Sequence, residues 1–415
     1  MLRPPSDRAR ADRDAKNGDH EMKYHVLCIN GGSSSLKFAL YQVGETERLT
    51  AYGAVEAIGE EKTTLWVQKT DGSRLEERSL GTIDHEGAVM AALEALDSPG
   101  LHPFDAAGHR LVHGGPLHEA PEKVTPELIA DLQRLVPLAP LHLPTEIQVI
   151  QAVTRHYPLL PQVVCFDTAF HRRMPELAQR LPLPRALWDE GIHKYGFHGL
   201  SYEYVLSALS EVGRGRVIIA HLGNGASMVA LTDGRPLDTT MGLTPIGGLM
   251  MGRRPGDLDP GVLLYLVAQK GYDASRLERL LDQESGLIGV SGISGDMKTL
   301  LAAAPREPHA AQAVDMFCYQ ARKTVGALAA VLGGLDLLVF TGGIGERAAP
   351  VRAGICHGLE HLGIQIDVAK NSAHADVISR EDSNCAVRVV HTNEDLMIAR
   401  HTQAALLKDT RHTGE

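Results

Sequence analysis

Aromatic residues are scarce in this chain, at 5% of its 415 positions, and only 2 of them are tryptophan. So thin a supply argues against a stacking platform for single-stranded bases. Positive charge is also short: 41 Lys and Arg face 51 Asp and Glu, for a net charge of -10. The basic surplus of a nucleic-acid protein is missing. The 5 cysteines (Cys28, Cys165, Cys318, Cys356 and Cys385) are scattered and form no Cys-x-x-Cys pair. An odd, dispersed set suits a reducing compartment better than a disulfide framework. Long apolar runs are missing too. The best candidate, Val325 to Phe340, contains Asp336 and three glycines and falls short of a bilayer span. The N-terminus carries no apolar signal core. The expected address is the cytoplasm, with neither membrane nor nucleic acid as partner.

What is present is ordinary globular composition, 44% apolar and 22% charged. A chain of 415 residues exceeds what one core usually supports, so at least two domains are expected, each of roughly 100–200 residues. Residues 1–21 are rich in Arg, Asp and Pro and read as a disordered tail, with Met22 directly before the first strand pattern. Tyr24–Ile29 and Leu36–Tyr41 form a hairpin pattern around a Gly/Ser turn. Helices are expected at Glu86–Leu96, at Pro126–Leu135 behind its capping Thr125, and at Pro260–Lys270, Ala310–Leu332 and Ala349–Leu362. Buried strands are expected at Val163–Phe166, Val217–Ala220, Ser227–Leu231 and Leu335–Phe340. Strands alternating with helices argue for α/β layers. VLCINGGSSSLKFAL, from Val26, and VIIAHLGNGASMVAL, from Val217, share one plan of strand, Gly/Ser/Asn turn and apolar strand. Two related halves would give that pattern.

Three glycine-rich turns are candidates for phosphate. GGSSS at Gly31–Ser35 is either a structural hairpin or an anion cradle, with Lys37 close by; it lacks the ending of a Walker A loop. HLGNGAS at His221–Ser227 is the second. TGGIGE at Thr341–Glu346 follows a buried strand and opens a helix, where N–H groups favour phosphate or ribose oxygens. Three strand-anchored turns of this kind point to a nucleotide better than any one of them. Asp167 in FDTAFH follows a buried strand and is placed to face a cleft, hold Mg²⁺ or orient a reacting group. In MMGRRPGDLDPG, Arg253 and Arg254 are either part of a salt-bridged loop or ligands for transferring-phosphoryl charge. Arg110 in HRLVHGG, His142 in PLAPLHLP and His198 in YGFHGLS are each compatible with a packing or surface role when taken alone. His109 and His113 share the i, i+4 spacing of a zinc helix, but Gly114 and Gly115 end any helix there.

The order of these strings, with GISGDM and NEDLMIA, resembles the acetate kinase family from about Val26 to about Arg400. The resemblance implies an α/β protein of the acetate and sugar kinase, Hsp70 and actin superfamily. It would have two ribonuclease-H-like domains, each a mixed five-stranded sheet flanked by helices, with the active site in the cleft between them. Residues 22–166 with 396–415 would form domain I, on the acyl side, and 167–395 domain II, for nucleotide and dimerisation. The implied reaction is reversible, Mg²⁺-dependent transfer of the ATP γ-phosphoryl group to acetate, giving acetyl phosphate and ADP, in a homodimer; Mn²⁺ would substitute. Metal contacts would fall on Asn30 and Glu394, and nucleotide-phosphate contacts on Ser33, Ser35 and Lys37. His221, Leu222, Gly223, Asn224 and Gly225 would form the second phosphate loop. Asp296, Met297 and Lys298 would meet adenosine, with Gly343, Ile344, Gly345, Glu346 and Arg347. Arg110 would bind the carboxylate beside a methyl pocket of Val112, Leu141 and Pro245. Asp167 would be the catalytic aspartate, with His142, His198 and Arg254 steadying the transferring phosphoryl.

Physical chemistry fits that reading. Acetate and ATP are both anions, so Arg110, Arg254, Lys37 and Mg²⁺ would offset their repulsion. Acetate is already a nucleophile near neutral pH, which makes Asp167 an organiser rather than a proton acceptor. The chain departs from the family pattern at Leu143, Gly247, Arg253, Lys298 and Arg347, around the acyl pocket, the phosphoryl loop and the purine site. A propionate or butyrate kinase is the nearest alternative, since one methylene discriminates by only about 1–3 kcal/mol. A non-catalytic nucleotide switch on the same fold would carry a peptide-binding module or lack Arg110 and Arg254, and neither applies to this sequence.

Overall fold

The computed structural model describes residues 23–32, 34–97, 101 and 103–412. The expected tail over 1–21, the start at Met22 and Ser33 lie outside the described residues. Two mixed sheets organise the chain. The first contains β1 (Tyr24–Gly31), β2 (Ser35–Val43), β3 (Arg48–Glu56), β4 (Thr63–Lys69), β5 (Arg74–Gly81), β6 (Ala106–Leu111), β7 (Glu122–Lys123) and β8 (Gln162–Phe166), in the order β5-β4-β3-β2-β1-β6-β8-β7. The second contains β9 (Arg216–Leu222), β10 (Ala226–Thr232), β11 (Arg235–Thr239), β12 (Leu337–Thr341) and β13 (Ala386–Val389), in the order β11-β10-β9-β12-β13.

The two sheets share one plan. In each, an antiparallel three-strand meander (β3-β2-β1 and β11-β10-β9) continues into two parallel strands (β6-β8 and β12-β13). The two similar sequence stretches are the central hairpins β1–β2 and β9–β10. The second sheet has the expected five strands. The first sheet has eight, because β4 and β5 extend one edge and the two-residue β7 the other. β5 is largely exposed and carries Arg74, Glu76, Glu77 and Arg78, and charge of this kind blunts an open edge. β8 and β12 are buried at every position, as strands covered on both faces must be.

Local chemistry sets the helix ends. Thr125 accepts the Leu128 N–H at 3.1 Å and Pro126 opens the helix Pro126–Leu135. The helix Pro308–Leu332 lays Ala313, Phe317, Ala321, Val325 and Leu328 into the core and stops at Gly333, whose φ is +69°. The helix expected over Ala349–Leu362 breaks after Cys356. Gly358 has φ +84°, and only a short 3₁₀ turn, Glu360–Leu362, follows. Among the described residues no helix is long and apolar enough to cross a membrane.

The helix Glu394–His412 returns to the first sheet and packs over β1, β2, β6 and β8. Its contact with β6 is close: a Cβ on Gly108 would lie 2.3 Å from Thr402 Oγ1 and 2.5 Å from Ile398 Cγ2. Gly108→Ala is expected to lower stability by about 1–3 kcal/mol, as overpacking does. Chemical denaturation checks this, and an unchanged midpoint would mean that the helix can lift off β6 freely.

Candidate active site

The C-terminal ends of three adjacent strands build the first half of the site. Asn30 is the penultimate residue of β1, Arg110 lies near the end of β6, and Asp167 directly follows β8. Parallel pairing of Ile29 with His109 and of Arg110 with Cys165 holds them level. The Arg110 guanidinium donates to both Asp167 oxygens, at 2.6 and 3.2 Å, and to Asn30 Oδ1 at 3.2 Å. Its Nε lies 3.6 Å from a carboxylate oxygen of Glu394, the first residue of the returning helix. Burial works against the Arg110 charge, but Asp167 and Glu394 outweigh it and hold the guanidinium above its ordinary value. Burial pushes the Asp167 carboxyl up, with Arg110 pulling the other way. Lys37 on β2 faces Asn30 across the hairpin. The Asp395 carboxyl is pushed up to about 6 by burial and by Glu394, against Lys37 and Arg110. Ser35 opens β2, and its carbonyl accepts the Gly32 N–H at 2.7 Å.

The three residues expected to form a methyl pocket are covered to different degrees. Val112 is buried, Leu141 is half-buried and Pro245 is buried. The Pro245 carbonyl accepts from Arg254 Nη1 at 2.6 Å, which ties Pro245 to the MMGRRPGD loop. His113 braces the same loop. Its Nδ1 accepts the Gly115 N–H at 2.8 Å, so its Nε2 carries the proton and donates to the Leu243 carbonyl at 3.0 Å. His142 sits at the N-cap of the helix Leu143–His156. Its imidazole is pushed down to about 4 by burial and by the charges of Arg254 and Arg110.

Glu146, in the first turn of the helix Leu143–His156, is a residue that sequence reasoning missed. It is 3% exposed, and its Oε2 accepts the Val112 N–H at 3.1 Å. Burial pushes its carboxyl up to about 8 against the pull of Arg110. The available signal was an acid three residues after Leu143, on the face that also carries Ile147 and Ile150.

The second sheet offers the corresponding strand ends. β9 runs to Leu222 and turns through Gly223–Gly225 into β10, with the Gly223 N–H on the Gly225 carbonyl at 2.9 Å. β12 ends at Thr341, paired with His221, and opens the short helix Gly342–Arg347. Gly342 has φ +75°, and a Cβ there would stand 2.8 Å from the Leu222 carbonyl oxygen, so the two loops touch. Gly223, Asn224, the turn Asp296–Lys298, Gly343, Ile344 and Arg347 line one cavity of about 520 Å³. Bonds from Thr299 hold the Asp296 carboxyl below its usual range. Leu222 and Gly345 are buried under these loops. Glu346 is engaged within the protein: it accepts from the N–H groups of Gly342 and Thr392, both at 3.1 Å, and bonds His391 at 2.8 Å.

Between the halves stand His198, His221 and Arg254. His198 adopts φ +58° just before the helix Gly199–Leu209, whose first N–H donates to the Asp167 carbonyl at 3.0 Å. The rings of His198 and His221 stack with centroids 4.2 Å apart. A Cβ on Gly225 would lie 3.1 Å from Arg254 Nη2 and 3.3 Å from His198 Nε2, so both side chains converge on the second glycine turn. Burial lowers the Arg254 value, with Asp282 opposing.

The acetokinase family model matches residues 25–400. The chain belongs to the acetokinase family. It is 46% identical over 389 residues to an acetate kinase of Rhodopseudomonas palustris, covering 91% of this chain and 97% of that protein. It is 40% identical over 400 residues to a propionate kinase of Citrobacter rodentium, covering 94% and 98%. The crystal structure of Porphyromonas gingivalis acetate kinase superposes with a TM-score of 0.83 at 38% identity, covering 92% of this chain and 100% of that one.

In this acetokinase chain no set of three or more His, Cys, Asp or Glu able to hold a metal ion occurs among the described residues. Asn30 and Glu394 instead contribute an amide and a carboxylate oxygen to one cluster around Arg110. That donor set suits Mg²⁺, which takes few protein oxygens and completes its shell with phosphate and water.

Glu146 gives the site a pH signature. An acid held near 8 when folded and near 4.5 when unfolded keeps a proton that the unfolded chain has lost, so its contribution to stability falls as pH rises between those values. Glu146→Gln keeps the acceptor for Val112 and removes the titration. Its thermal midpoint is expected to drop less than the wild type's, by several degrees, between about pH 5 and about pH 8. Parallel curves for the two proteins would show that Glu146 is ionised throughout.

Proposed function

We propose that this acetokinase-family chain transfers the γ-phosphoryl group of ATP to acetate, reversibly and with Mg²⁺, giving acetyl phosphate and ADP. The observation that carries this reading is one juxtaposition. A guanidinium cluster at the strand ends of the first sheet faces paired glycine loops at the strand ends of the second, with His142, His198 and Arg254 between them.

In this reading the cavity at Asn224, Asp296–Lys298 and Gly343–Arg347 takes adenosine. The turn His221–Gly225, with Ser33, Ser35 and Lys37, takes the phosphates. Asn30 and Glu394 hold Mg²⁺, which when bound neutralises phosphate charge. Arg110 meets the acetate carboxylate, and Val112, Leu141 and Pro245 exclude water from its methyl group. The acetate oxygen attacks directly in line, because a carboxylate needs no base. Asp167 fixes the plane of the Arg110 guanidinium through its two bonds. His142, His198 and Arg254 stabilise charge on the phosphoryl oxygens as it passes.

The returning helix Glu394–His412 supports a division into domain I, residues 22–166 with 396–415, and domain II, residues 167–395. We assign the enzyme to the cytoplasm and to a homodimer. The helix Pro260–Lys270 supports the dimer: it is strongly apolar, none of its residues is buried, and Leu264 and Tyr265 are 72% and 55% exposed. Leu264→Glu is expected to convert a dimer to a monomer in light scattering. A monomeric wild type would end this assignment.

Acetyl phosphate formation with acetate, propionate and butyrate tests the reaction. Acetate is expected to have the highest kcat/KM, and a preference for propionate would transfer the reading to the propionate kinases among the relatives. Arg110→Ala is expected to raise the acetate KM by about 10–100-fold, the loss of one charged hydrogen-bonding partner. Arg254→Ala is expected to lower kcat by about 100-fold or more, because it meets charge that develops only during transfer. Identical kinetic patterns in the two variants would refute the separate roles.

A further inference from the structure

The stacked imidazoles of His198 and His221 are held from behind by hydroxyl groups. Ser227 Oγ lies 2.8 Å from His198 Nδ1, and Ser201 Oγ lies 2.8 Å from His221 Nδ1. Both serines are fully buried. Each serine meets a second hydroxyl: Tyr202 on Ser227, and Thr392 Oγ1 donating to Ser201 at 2.8 Å.

Proton counting fixes the direction of these bonds. Tyr202 is fully buried, and Ser227 Oγ is the acceptor placed at its hydroxyl, so the phenol donates to the serine. Ser227 then has only its own proton to give, and His198 Nδ1 is the atom that receives it. Thr392, Ser201 and His221 repeat the arrangement. A neutral ring whose Nδ1 accepts carries its proton on Nε2.

Burial and positive neighbours favour the uncharged form of both rings. Burial, the neighbouring His221, Arg110, Arg254 and His171 hold the His198 imidazole well below its ordinary value. Burial and Arg110 hold His221 at about 4, although Asp167 and Glu346 oppose them. The Nε2 ends point at the second glycine turn. His198 Nε2 is 3.3 Å from a Cβ built on Gly225, and His221 Nε2 is 3.8 Å from one built on Gly223.

We propose that Ser201 and Ser227 are positioning residues that lock His221 and His198 as Nε2–H tautomers, so that two uncharged N–H donors face the phosphate turn. The opposite tautomer would turn a nitrogen lone pair toward anionic oxygens and repel them. Two imidazolium ions could supply donors, but their charges would repel across a 4.2 Å stack. The kinetic consequence rests on the phosphoryl-transfer reading above; the tautomers do not.

The test uses the full chain labelled with ¹⁵N-histidine, as wild type, Ser227→Ala, Ser201→Ala and Thr392→Val. Thr392→Val is the mildest change, since it leaves Ser201 in place and removes only the donor behind it. The wild type is expected to show the Nε2–H pattern for His198 and His221 near neutral pH. Each alanine variant should shift its own histidine toward the Nδ1–H form, and Thr392→Val should shift His221 alone. In assays with acetate and ATP, kcat is expected to fall about tenfold or more while both KM values change less than about threefold. Wild-type spectra showing Nδ1–H or doubly protonated rings would overturn the proposal. So would variants that lose kcat with unchanged tautomers, which would mark the serines as packing residues. Absence of acetate phosphorylation would refute the functional reading alone, since the spectra still decide the lock.

Discussion

A guanidinium withdrawn from water keeps its charge only if oxygen atoms replace the solvent it has lost. Arg110 meets this requirement with three residues that are remote in sequence but meet in space: Asn30, Asp167 and Glu394. Asn30 and Asp167 are brought to it by parallel pairing of β1, β6 and β8, and Glu394 by the helix that crosses those strands. Their arrangement constrains the rest of the molecule. Removing Arg110 would leave Asp167, 1% exposed, as a buried acid without a partner. The site and the stability of the first sheet therefore share one interaction.

The two sheets repeat a strand order but use it for different chemistry. At the first, the strand ends carry a cation with its counter-charges. At the second, the corresponding ends carry the glycine turns Gly223–Gly225 and Gly342–Gly343. The segment Thr392–Glu394 joins them. Thr392 bonds Glu346 on the loop that follows β12 and Ser201 behind His221, and two residues later Glu394 reaches Arg110. These hydrogen bonds run beside a packed core that also spans both halves, with Val164 and Phe166 of the first sheet and Ile218, Ala220 and Phe340 of the second in one buried cluster.

Much of this was legible in the sequence because it is local. The shared hairpin plan, Thr125 capping Pro126–Leu135 and the buried strands before Asp167 and Thr341 all depend on neighbouring residues. What was not legible depends on partners far along the chain. Glu346, in a glycine-rich turn, gives no sign in the sequence of its bonds to Thr392 and His391. Glu146 looks like a solvated acid in the first turn of a helix until Val112 and Arg110 are placed beside it. The β4–β5 extension was missed because β5 is mostly polar and gives little apolar alternation to recognise.

The helix Glu394–His412 has a consequence for how the protein is made. It covers the face of β1, β6 and β8 and brings Glu394 to Arg110, but the ribosome produces it after the second sheet is complete. Until then, the first-sheet residues Val26, Cys28 and Val163 lack Ile398 and Ala399, which later pack over them. The nascent chain therefore carries an incompletely covered first sheet through most of its synthesis. The first sheet, encoded early, is covered on this face only once the helix Glu394–His412 docks.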